Sequence, residues 1–145
     1  MQQLIKKHGQ YAVYVAWIIA ILATMISLSL SLILHWTPCD LCWYQRICMY
    51  PLVAILTVGI VYQDRKVWRY VLGLAPIGWL IAGFHTLLQW GIIPEQVSPC
   101  FKSAVSCTTK FFNFFGFVTI PFLSFIAFSG IIVSMLIYAR SQKSE

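Results

Sequence analysis

The sequence predicts an all-α membrane protein, a four-transmembrane-helix bundle with both termini in the cytoplasm. An apolar composition, four apolar stretches of spanning length and a one-sided distribution of basic residues predict it. Of the 145 residues, 60% are hydrophobic and 10% charged, whereas a soluble domain has an apolar share nearer ~45–50%. Stretches 11–34, 43–62, 70–90 and 117–138 each reach the roughly 20 apolar residues that a helix needs to cross the hydrocarbon core. The links between them are short, so consecutive helices are expected to be antiparallel neighbours in one unit. A single membrane domain over residues 1–145 then leaves little for any soluble domain.

The first span is longer than a signal-peptide core of about 7–15 apolar residues, and no small-residue cleavage pattern follows before His35 and Trp36. It reads as a retained helix. Pro38 is a stop signal ahead of the second span, and Pro51 inside that span is expected to kink it near its outer third and open space for a ligand. Pro76, Gly78 and Gly83 in the third span, and Ser129 with Gly130 in the fourth, suit close helix contact, the usual use of small residues in membranes. The connection 91–116 begins polar and runs into Phe111, Phe112, Phe114, Phe115 and Phe117. Aromatics so placed read as an interfacial belt or a short helix lying on the bilayer rather than as a cofactor box.

Orientation comes from lysine and arginine. Lys6, Lys7, Arg65, Lys66, Arg69, Arg140 and Lys143 fall on one side of the spans, against Lys102 and Lys110 on the other. The positive-inside rule therefore puts the termini in the cytoplasm. The formal charge of +6 is mostly anchoring beside membrane ends, which removes the argument for a nucleic-acid partner. Two cysteine pairs, Cys39 with Cys42 and Cys100 with Cys107, then face outward, where disulfides persist.

As staples these pairs do little. Rings of four and eight residues give only about 2 to 2.5 kcal/mol each in the chain-entropy model. A CxxC ring is instead the arrangement in which one thiol ionises readily and the other resolves a mixed disulfide. Cys42 lies near the start of the second helix, where the dipole and free amides favour a thiolate. Zinc is disfavoured because the gap between Cys100 and Cys107 is wider than the two to four residues usual in such sites. Covalent haem is disfavoured because Trp43 stands where His would follow the CxxC. No metal site is expected, and the four cysteines are the candidate catalytic residues of a redox enzyme.

Arg46 falls one helical turn after Cys42, on the same face. An ionised side chain inside a span is a functional candidate by default; here it can steady a thiolate or hydrogen-bond a quinone oxygen, the alternative being an arginine that snorkels to headgroups. His85, within two turns of the outer end of the third span, is a candidate proton donor or quinone contact, or a histidine bonded to a neighbouring helix. Cys48 reads as a small buried hydrophobe without a role.

The run Pro38-Cys39-Asp40-Leu41-Cys42-Trp43-Tyr44-Gln45-Arg46, followed by Met49-Tyr50-Pro51, resembles the signature of the bacterial DsbB family, in particular its shorter BdbC-type branch. The resemblance continues through His85-Thr86-Leu87-Leu88-Gln89, Cys100, Cys107 and Ile120-Pro121, and covers nearly the whole chain. It implies a four-helix thiol oxidase of the bacterial cell membrane that reoxidises an extracytoplasmic thioredoxin-like thiol oxidase and hands the electrons to a quinone, menaquinone or ubiquinone. By resemblance, Cys100 is joined to the partner's cysteine, Cys107 pairs with it, Cys39 exchanges with the loop pair, Cys42 faces the quinone, and Arg46 and His85 line its site. The loop pair here has only six intervening residues, far fewer than in the longer members. A vitamin K epoxide reductase-like protein is the rival enzyme, disfavoured because its loop cysteines precede the CxxC. The non-enzymatic rival is a membrane scaffold whose disulfides only shape its loops.

Overall fold

Four long helices account for most of the chain: α1 (Gln2–Leu32), α2 (Asp40–Val61), α3 (Val67–Gln89) and α4 (Ile120–Lys143). The computed structural model describes residues 2–35, 37–98, 100, 105–108 and 118–143, and among them there is no strand. All four helices are long and apolar enough to cross a membrane, over Tyr11–Leu32, Asp40–Val61, Val67–Gln89 and Ile120–Gln142. The expected aromatic run from Phe111 to Phe117, and Lys102 and Lys110, lie outside the described residues.

Helix ends differ from the apolar stretches for identifiable reasons. α1 starts at Gln2, well before the first apolar residue of the span, because the polar lead-in carries no residue that breaks a helix before Gly9. α2 starts at Asp40, with Cys39 as its extended N-cap residue, so Pro38 ends the preceding segment and the CxxC falls on the first turn. Pro51 and Pro76 lie inside helices that continue past them. α3 ends at Gln89 with Trp90 as its C-cap, and Gly91 follows with φ +75°, the left-handed position that glycine occupies most readily after a helix.

Contacts fix the direction of each neighbour. Trp17 Nε1 donates to Thr57 Oγ1 at 2.8 Å and Arg46 reaches Ser27, so α1 and α2 run antiparallel. Trp79 Nε1 donates to Ser129 Oγ at 2.9 Å, while Trp90 packs on Phe122 with ring centroids 5.6 Å apart, which sets α3 against α4. α4 returns to α1, where Gly130 faces Ile19 and Gly9 faces Ser141. Each helix thus packs on its chain neighbours and α4 closes the ring on α1.

The centre holds Leu52, Leu56, Val71, Ala75, Phe128, Ile131 and Met135, all fully buried. Gly78 permits a close approach here: a Cβ there would run into the Phe128 ring and stand 3.0 Å from Cys48 Cβ. Gly83 lies close to Phe125, where a Cβ would stand 3.3 Å from the ring, so the small residues serve packing as the sequence suggests. Large apolar side chains such as Ile47, Val58, Leu80 and Val133 point outward, as lipid-facing positions do. The fold places the start of α1, the end of α4 and the link with Arg65, Lys66 and Arg69 at one end of the bundle, and both cysteine pairs at the other.

Candidate redox site

At the cysteine end a second buried cluster gathers Cys39, Leu41, Leu88, Cys100 and Cys107, with Cys42, Phe84, Ile93 and Val105 against it. Cys100 and Cys107 form a disulfide with Cα atoms 5.8 Å apart, inside the usual span for a bridge. The loop that carries them is tied locally: the Cys100 amide donates to Ser98 Oγ at 3.0 Å, and Ser106 and Thr108 both donate to the Glu95 carboxylate. Cys39 and Cys42 are free thiols with sulfurs 2.9 Å apart. Hydrogen bonding to the Cys42 side chain, opposed by burial and helped by His85, holds the Cys39 thiol far below its ordinary range, at about 4. The dipole argument from sequence favours Cys42 as the thiolate; the contacts at the helix mouth favour Cys39.

His85 joins the two pairs. It is completely buried, and Gln45 Nε2 donates to its Nδ1 at 3.0 Å, which leaves the ring proton on Nε2. That nitrogen lies 3.8 Å from Cys39 Sγ and donates to the Cys107 carbonyl at 3.1 Å. Gln89 Nε2, one turn further along α3, donates to the same carbonyl at 3.3 Å. Two donors from one helix face therefore hold the loop cysteine over the CxxC. Gln45 and Gln89 carried no assignment from sequence, although their spacing gives the signal: Gln45 follows Cys42 by three residues and Gln89 follows His85 by four, so each shares its face.

On the other side of Cys42 lies a cavity of about 390 Å³ between α1, α2 and the start of α4, lined by Leu22, Ile26, Met49, Pro121 and Ile126 among others, and by Cys42, Gln45 and Arg46. Arg46 Nε donates to Ser27 Oγ at 2.9 Å and Nη2 to the Ser27 carbonyl at 3.0 Å. Nη2 also donates to Ser31 Oγ, and the guanidinium lies 5.5 Å from the Trp43 ring centroid. Serines one turn apart on α1 thus aim the cation, and among the described residues Nη1 makes no hydrogen bond. Tyr50, one turn below Arg46, also lines the cavity, and among the described residues its buried hydroxyl has no hydrogen-bond partner. A mostly apolar cavity of this size with a few converging polar groups is the usual form of a small-molecule site. The orphaned Tyr50 hydroxyl and the Arg46 cation suit a flat apolar ring bearing hydrogen-bond acceptors.

The structure brings Cys42 and Arg46 together at the cavity and sets His85 among the sulfurs, outside the residues that line it. Cys48 is buried in the core against Gly78, away from the cysteine end.

These features define a class: a four-helix membrane-type bundle with a CxxC set between a loop disulfide and a lipophilic cavity. The chain belongs to the family described as disulfide bond formation protein DsbB, whose model matches residues 9–138. It is 45% identical over 132 residues to disulfide bond formation protein C of Bacillus subtilis (strain 168), covering 91% of this chain and 94% of that one. It is 41% identical over 136 residues to probable disulfide formation protein C 2 of Bacillus anthracis, covering 94% of each. A probable disulfide formation protein of Metapseudomonas resinovorans is 38% identical over 124 residues, 86% of each. No solved structure matches the chain.

Proposed function

We propose that this chain is a quinone-linked protein-thiol oxidase that regenerates the disulfide of a thioredoxin-like partner on the outer face of a bacterial cell membrane, as one membrane domain. The observation that carries this reading is the position of the CxxC, with Cys39 against the loop disulfide and Cys42 on the cavity wall. Family membership supports the thiol chemistry, and the names of the relatives agree with it.

The partner's dithiol attacks the Cys100–Cys107 disulfide, through a mixed disulfide at Cys100, and leaves oxidised with the loop pair reduced. The loop dithiol next reduces the Cys39–Cys42 disulfide, Cys107 attacking at Cys39, so that two electrons and two protons have moved to the helix mouth. Each exchange depends on thiolate fraction and on access to the attacked sulfur. His85 and Gln89 support the second exchange by holding the Cys107 carbonyl above Cys39. His85 Nε2–H is placed to stabilise a Cys39 thiolate as it leaves.

A menaquinone or ubiquinone ring, bound in the cavity, supplies the two-electron acceptor. Arg46 and Tyr50 would hold it, and Cys42 is the thiol that faces it. Seven basic residues at the opposite end of the bundle support a cytoplasmic position for both termini and an outward position for the cysteines.

Thiol trapping in cells tests this. The four working cysteines accumulate in the reduced form when quinone synthesis is blocked and return to disulfides when it is restored. Cysteines that stay oxidised without quinone would mark inert staples and overturn the reading.

A further inference from the structure

The cysteine end holds a second arrangement that electron transfer does not require. Cys39 Sγ, a His85 ring nitrogen and Cys107 Sγ lie within 4.8 Å of one another, all three residues buried. Cys39 Sγ is 3.8 Å from His85 Nε2, and Cys42 Sγ is 2.9 Å from Cys39 Sγ. On a tetrahedral zinc ion a thiolate at about 2.3 Å and an imidazole at about 2.0 Å are separated by roughly 3.6 Å. The Cys39–His85 pair therefore already stands at ligand spacing.

In the oxidised chain the Cys107 sulfur is bonded to Cys100 and cannot act as a thiolate ligand. Reduction of both pairs frees it and completes a set of three sulfurs and one imidazole. We propose that the fully reduced chain binds a thiophilic divalent cation of the zinc type through Cys39, His85 and Cys107, with Cys42 as fourth ligand, and that the site exists only in that redox state. Sequence spacing argued against zinc because it weighed only the gaps between cysteines. The fold instead draws ligands from the helix mouth, from the loop and from α3, a Cys3His set of recognised kind.

Surrounding groups suit the site. A histidine that binds metal through one nitrogen usually donates its other N–H to an oxygen. Gln45 lies 3.0 Å from Nδ1, and its amide, turned over, presents that oxygen. Binding breaks and forms no covalent bond between carbons or sulfurs and moves no electrons; the thiols lose their protons to solvent as they ligate. Cys42, half-buried on the cavity wall, is the least buried of the four ligands. A bound cation occupies the thiolates that exchange needs, so the reduced chain stalls until a chelator removes the ion. The proposal rests on both pairs being reducible, which the oxidase reading also requires, but not on quinone.

The test uses the full chain in detergent, with all pairs reduced or all oxidised, titrated with Zn²⁺ against a colorimetric chelator; Co²⁺ reports thiolate ligation through its absorption. The reduced chain should hold about one ion and the oxidised chain none. Cys107→Ser and His85→Gln should each weaken binding at least ~10-fold, and Cys48→Ala should bind as the parent does. Equal binding by both redox states, no binding, or unchanged affinity in Cys107→Ser would overturn the proposal, the last because the CxxC alone would then be the chelator. If His85→Gln does not fold, Cys107→Ser and the cobalt spectrum of the parent decide. Turnover in zinc-free buffer, measured on the same preparation, separates the two ideas: zinc binding without turnover sinks the oxidase reading, and turnover without zinc binding sinks this one.

Discussion

Replacing Arg46 with Ala probes the link between α1 and the cavity. The Nε and Nη2 groups of Arg46 are committed to Ser27 and Ser31, which leaves Nη1 for an acceptor on a bound ring. One charge-assisted hydrogen bond to a ligand is worth about 1.5–3 kcal/mol, and each 1.4 kcal/mol is a factor of ten. The variant should therefore bind quinone roughly 10- to 150-fold more weakly. Folding should suffer less, because the serines released on α1 can turn back to their own helix. Ser29 already donates to the Met25 carbonyl at 2.8 Å and Ser31 to that of Ser27 at 3.4 Å. Arg46→Lys should fall between, since a point ammonium cannot hold two serines as a fork and still face the cavity. The assay is steady-state turnover with quinone and reduced donor varied separately. The apparent KM for quinone should rise and that for donor stay within about twofold. A rise confined to the donor would refute the placement of Arg46.

Other consequences follow from the packing and the thiol environment. Gly78→Ala drives a methyl into Phe128 and Cys48, so thermal unfolding in detergent should show a loss of about 1–3 kcal/mol; an unchanged melting temperature would mean that α3 and α4 are not so closely apposed. Cys48→Ala removes a small buried side chain remote from the sulfurs and should keep turnover near the parent level, whereas a dead variant would give Cys48 a part in the chemistry. In the reduced protein the Cys39 thiol is held at about 4, so its thiolate persists as pH falls and is lost only as pH passes below that value. The stability it adds is complete above the ordinary thiol range and is lost progressively as pH falls from there to about 4. The ultraviolet thiolate absorbance that Cys39→Ser removes should thus survive from about pH 8 to about pH 5; its loss by neutral pH would contradict the geometry at the helix mouth.

Hydropathy made the four helices legible because lipid demands long apolar runs, and the cysteine motif made the chemistry legible because few uses of a CxxC suit a helix mouth. Helix ends were less legible. The apolar pattern records contact with lipid, not hydrogen bonding, so it missed residues 2–10 of α1 and the polar last turn of α4, and it started α2 at Trp43 rather than Asp40. Arg46 was found from its charge, but Ser27 and Ser31 were not, because serine is common in membrane helices and only the packing of α1 on α2 makes these two its partners. His85 was found from its place near the outer end of the third span, where a titratable side chain stands out among apolar neighbours. Its position between Cys39 and Cys107, and its support by Gln45 and Gln89, depend on how α3 and the loop meet, which no spacing along one helix encodes.

The central claim is that electrons pass from a protein dithiol through Cys42 to a quinone. The direct measurement mixes purified protein with a reduced thioredoxin-like donor and a water-soluble quinone analogue and follows quinone absorbance. One quinone should be consumed per donor disulfide formed, and Cys42→Ser should abolish consumption while the donor can still form a mixed disulfide with the loop. Donor oxidation with no loss of quinone, or unchanged turnover in Cys42→Ser, would contradict the account.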